Sequence, residues 1–148
     1  MPTWLKVTLI VIGVVMVLVL AVGVGGYLWW KNNGDTMVAD AKAAMDEGRR
    51  FAAGKDSWAC VDEGARRAKG AGLTGAIATR LFLDACLKGA RLAPGFCDAV
   101  PSPSEILTAV SWQAQLNQKY GLNPPFETAA VPQALQAFCA ERSVAPQR

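Results

Sequence analysis

From Val7 to Trp30 the chain reads VTLIVIGVVMVLVLAVGVGGYLWW, about 24 residues without a charge, which as a helix rising about 1.5 Å per residue outreaches a hydrocarbon core of about 30 Å. No other feature limits the fold so strongly, because a stretch of this kind is stable only inside a bilayer or fully sheathed by protein. Its two ends carry the residues that settle at a membrane surface. Trp4 and Lys6 precede it, and Tyr27, Trp29, Trp30 and Lys31 close it, aromatic rings resting at headgroup depth with a cation beyond them. A cleaved leader is the competing reading, since Lys6 supplies a basic start and Ala21-Val22-Gly23 offers small residues for cleavage. The run continues past that point into an aromatic belt, which an anchor needs and a leader does not. Ala21 and Gly25 are four apart, a small-residue spacing that would let another membrane helix approach closely.

The chain therefore divides into a short N-terminal tail (1–6), an anchor helix (7–30), a polar joint (31–34), a helical domain (35–144) and a frayed tail (145–148). The domain is long enough for one hydrophobic core. It contains all four cysteines, Cys60, Cys86, Cys97 and Cys139, an even number in a small domain tethered to a membrane. No two are spaced as zinc ligands or as a CxxC redox pair, and the sequence has no histidine, so no metal and no cofactor are expected. Two disulfides are expected instead. Cys60 and Cys86 lie roughly level if the helices that carry them form a hairpin about Ala71, which makes Cys60–Cys86 with Cys97–Cys139 the first choice among the three pairings.

Within the domain the periodicity is helical throughout. Asp56 or Ser57 is placed to cap a helix from about Trp58 to Lys69, stopped by Gly70 and Gly72. Thr74 is placed to cap a third, central helix reaching about Arg91. Two prolines and Gly95 make 93–101 a loop. Ser102-Pro103-Ser104-Glu105 reads as a capping box opening a helix from Pro103 to about Tyr120, whose apolar positions are Ile106, Leu107, Val110 and Ala114, with Trp112, Leu116 and Tyr120 as a second ridge. Asn123-Pro124-Pro125 is a stiff connector. The last helix is expected to start near Pro132, with Val131, Leu135, Phe138 and Cys139 on its buried face. The expected fold is all-α: one transmembrane helix followed by a disulfide-stapled bundle of four to five helices.

The chemistry of catalysis is thinly represented. Without histidine the commonest general base is missing. Asp62 and Glu63 are adjacent, so on a helix they diverge by about 100° rather than converge. The formal charge of +3 selects no partner, although Arg49 to Arg91 is locally basic. Arg49, Arg50, Arg66, Arg67 and Lys69 form a candidate face for anionic headgroups or an acidic partner; interleaved with Asp62 and Glu63, they more readily make an ordinary solvated surface. The expectation is a non-catalytic accessory protein with no small-molecule substrate and no nucleic acid. It would sit in the cytoplasmic (inner) membrane of a bacterium, its N-terminus in the cytoplasm and its domain in the periplasm, binding another membrane or periplasmic protein as a small subunit of a membrane complex. Two alternatives stand beside it: a tethered immunity or inhibitor protein against an envelope-targeting toxin or lytic enzyme, and an envelope enzyme with a site of Asp, Glu and Arg.

Overall fold

The computed structural model describes residues 3–123 and 126–144, so the expected tail at 145–148 and the prolines of the connector lie outside it. The described residues form helices α1 (Thr3–Ala52), α2 (Ser57–Ala68), α3 (Leu73–Gly89), α4 (Ile106–Tyr120) and α5 (Glu127–Val144), with a short 3₁₀ turn at Cys97–Ala99 and no strand among them. Two compact units result, Met1–Ala39 and Asp40–Arg148. The protein is all-helical, with one N-terminal helix long and apolar enough to span a membrane and two disulfides in the bundle.

In the first unit every large apolar side chain from Val7 to Trp30 is exposed around the whole helix, a surface suited to lipid rather than to a protein core. The joint expected at Lys31–Gly34 is helical instead. The Asn33 side chain donates to the Trp29 carbonyl at 2.9 Å and Thr36 Oγ1 donates to Asn33 at 2.8 Å, while Gly34 is covered by the Trp30 indole. Polar residues that favour turns in isolation are thus folded back onto helical carbonyls.

The second unit begins at Asp40 and uses the end of α1 as its first helix. Gly48 lies against the Phe82 carbonyl and Cys86, and Gly89 against Ala52, so the α1 tail and α3 run in the same direction at close approach. A Cβ at Gly48 would overlap the Phe82 carbonyl oxygen. α2 returns antiparallel, and Gly64 makes room for the fully buried Leu83. Arg80 on α3 donates to Gln133 on α5 at 3.2 Å, and Lys88 meets Glu141 at 3.4 Å. The equal offset makes α3 and α5 parallel. α4 runs against α5, with Gln113 bonded to Gln136 and Asn117 to Thr128. Three helices therefore ascend and two descend. The end where the chain enters at Asp40, here the entry end, carries the α2–α3 and α4–α5 turns; the far end carries the α1–α2 turn and the long 90–105 loop.

Cys60, Val61, Leu83 and Cys86 are fully buried at the centre, and Trp58, Phe96 and Phe138 stack edge-to-face beside them with centroids 4.8 and 6.3 Å apart. The disulfides join Cys60 to Cys86 and Cys97 to Cys139. Asp56 caps α2, accepting from Ala59 N at 2.9 Å, whereas α3 begins after Gly72 and Thr74 lies inside it without capping.

Two helix starts differ from the sequence expectation. α4 begins at Ile106, because Ser102–Glu105 closes as a turn in which Glu105 N donates to the Ser102 carbonyl and Glu105 has left helical geometry. The reciprocal half of the box survives, with Ser102 N donating to Glu105 Oε2 at 3.3 Å. α5 begins at Glu127, and Pro132 sits inside it. A proline there deprives the Thr128 carbonyl of its helical donor. Asn117 Nδ2 on α4 supplies one at 3.2 Å, which lets the helix continue through the proline.

Candidate functional site

Three of the five basic residues singled out in the sequence, Arg49, Arg66 and Arg67, are drawn into two ion-pair networks. Arg67 lies half-buried between elements. Its guanidinium meets both Glu47 oxygens at 2.7 and 2.9 Å and Glu63 at 2.8 Å, and it stacks 4.0 Å from the Phe82 ring centroid. Arg66 donates to both oxygens of Glu63, and Arg49 pairs with Asp46 at 3.0 Å. Hydrogen bonding from Arg66, joined by Arg67, holds Glu63 below its ordinary 4.5, and Arg67 does the same to Glu47. Glu47 hydrogen bonding also raises Arg67, so each partner favours the charged state of the other. Arg67 thereby fastens the α1 tail to α2. Arg50 and Lys69 remain exposed, Lys69 at the entry end.

A shallow groove of about 310 Å³ runs beside this network, lined by Asp40, Ala43, Glu47, Arg67 and Thr79. Of its three charged groups, Asp40, Glu47 and Arg67, the last two are paired with each other. Asp62 is occupied differently: Tyr120 Oη donates to it at 2.7 Å, and burial together with this bond pushes the Tyr120 phenol up. The Lys119 ammonium lies between the rings of Trp58 and Tyr120, at 5.7 and 5.1 Å from their centroids. Among the described residues no three His, Cys, Asp or Glu side chains converge as metal ligands.

The anchor residues Trp4, Lys6, Tyr27, Trp29, Trp30 and Lys31 are all exposed on α1, at the two ends of the apolar run.

The feature that sequence reading placed least well is α4. Of its apolar positions, Ala109 and Leu116 are buried, with Trp112 and Tyr120 packed at the core edge. Ile106, Leu107 and Val110 point outward, Ile106 at 70% exposure and Leu107 at 87%. No charged residue occurs from Ile106 to Gln118, so nothing ionic rims this ridge along the helix itself. A signal was present in the sequence. The helix has more apolar positions than a single buried face accommodates, and only the packing of α5 shows which are left over.

Compared with models of protein families, with curated proteins and with solved structures, the chain matches none.

Proposed function

We propose that this protein is a membrane-anchored, non-catalytic interaction protein that binds another protein through the first turns of α4, as a small subunit of a membrane complex. The observation that carries the reading is the ridge of Ile106, Leu107 and Val110, left open to solvent beside a core whose central residues are sealed. Adjacent exposed apolar side chains on a stapled scaffold are what a partner's groove would cover, since burying each side chain contributes about 1.5–3 kcal/mol. The two disulfides, which leave no free cysteine, support an oxidising location, and a bacterial periplasm with the N-terminus in the cytoplasm fits that chemistry. The groove beside Arg67 favours this reading over an envelope enzyme, because its one guanidinium is already committed to Glu47 and Glu63.

A photoreactive amino acid replacing Leu107 tests it in intact cells. The expected result is one dominant protein adduct, recovered in mild detergent with no added target. An adduct that forms only when a toxin or lytic enzyme is supplied would replace the subunit reading with the inhibitor reading. No protein adduct at Leu107, with the domain folded, overturns both. Location has a separate check: a maleimide that labels all four cysteines after denaturation without reduction would put the domain on the cytoplasmic side.

A further inference from the structure

The entry end of the domain has an apolar surface of its own. α3 and α5 run parallel, with Arg80 bonded to Gln133 and Lys88 to Glu141 at one offset. Carried back to the start of both helices, that register sets Leu73 beside Phe126 and Ile77 one turn above. Glu127 confirms the proximity by accepting from Gly70 N at 2.6 Å. Leu73, Ile77 and Phe126 are 57%, 50% and 41% exposed, so three large apolar side chains share this end of the bundle and face solvent. Lys69 is exposed at the turn immediately before Leu73, and Lys42 is exposed near the start of the α1 tail, which lies alongside the first turns of α3.

We infer that this end of the domain rests on the lipid surface, with Leu73, Ile77 and Phe126 entering the headgroup–acyl boundary and Lys69 meeting anionic headgroups. The occupant follows from the tether. Only the residues between Trp30 and Asp40 separate the apolar run from the entry end, and even fully extended they span roughly 35 Å at about 3.5 Å each. The bilayer surface is thus held within reach of this end at all times, an effective concentration that no freely diffusing partner matches. Apolar side chains flanked by lysine are the composition that binds an interface rather than a protein core. The inference is independent of the protein-binding reading, which concerns α4 at the far end.

The test uses the full chain in vesicles of phosphatidylethanolamine and phosphatidylglycerol that contain a photoreactive diazirine phospholipid, with trypsin digestion after illumination. Cleavage after Lys69 and Arg80 isolates Leu73 and Ile77, and cleavage after Lys119 and Arg142, followed by reduction of Cys97–Cys139, isolates Phe126. The segment 92–119 holds the exposed Ile106, Leu107 and Val110 and serves as an internal control. Lipid adducts are expected on the first two segments and not on the control. The Leu73→Glu/Ile77→Glu variant should lower adducts on 70–80 by about tenfold while anchor adducts stay unchanged, because it removes two apolar side chains from the interface. Circular dichroism and intact disulfides verify that the variant is folded. Equal labelling of the control, labelling confined to the anchor, or a protein–protein adduct at Leu73 in place of lipid would each overturn the inference.

Discussion

The two ends of the helical domain are held together by different means. At the far end, Cys97–Cys139 ties the 90–105 loop to α5, Cys60–Cys86 locks α2 to α3, and the Ser57 and Arg91 backbones are bridged at 3.0 Å. At the entry end no covalent link occurs among the described residues. The work falls to Glu127, whose two oxygens accept from Gly70 N at 2.6 Å and Asn123 N at 3.0 Å and so join the two turns. The difference teaches where rigidity is concentrated. The loop whose regular structure is a single 3₁₀ turn is cross-linked, whereas turns between well-packed helices are left to one carboxylate.

Removing the inner disulfide should expose this asymmetry most strongly. Cys60→Ala/Cys86→Ala deletes a link between fully buried positions and leaves a cavity, so chemical denaturation should show a loss of about 4–5 kcal/mol. Cys97→Ala/Cys139→Ala should lose about 3–4 kcal/mol, and hydrogen exchange should rise first in 92–105. If that exchange instead rises uniformly, the outer bond is not a local restraint. Glu127→Ala should lose about 1–2 kcal/mol and speed exchange at Gly70 and Asn123 without affecting the far end.

Acid gives a finer probe. Glu47 and Glu63 are held below their ordinary 4.5 by Arg67 and Arg66, so their contribution is fully present above that value and is lost as pH falls through the lowered folded values. Thermal melts below about pH 4.5 should fall more steeply for the native chain than for Glu63→Gln. Equal slopes would mean that the pairing is absent in solution. Smallest of all is Ile106→Ser/Val110→Ser, which should change stability by about 0.5 kcal/mol or less while abolishing the adduct formed by the photoreactive residue at position 107.

Much of this architecture is legible in the residues. The apolar run, the Asp56 cap, the stop at Gly70 and the level placement of Cys60 and Cys86 are local signals, each read within a turn or one hairpin. The misplaced elements depend on partners distant in sequence. Pro132 reads as a helix start until Asn117, from another helix, is seen supplying the donor that Thr128 lacks. Arg67 reads as surface charge until Glu47, twenty residues earlier, closes on it. Gly48 and Gly64 carry no local signal of their role, and only the approach of α3 shows that nothing larger fits. The exposure of Ile106 and Leu107 likewise follows from how few of α4's apolar positions α5 covers.

The parallel course of α3 and α5 also decides how the protein should be handled. α5 ends at the far end, where Ala140 and Ser143 share a groove of about 250 Å³ with Ser102 and Pro103, just ahead of Ile106. An affinity handle or fluorescent reporter joined behind α5 would emerge beside the ridge assigned to the partner and compete with it for space. Bait experiments built that way would under-report binding.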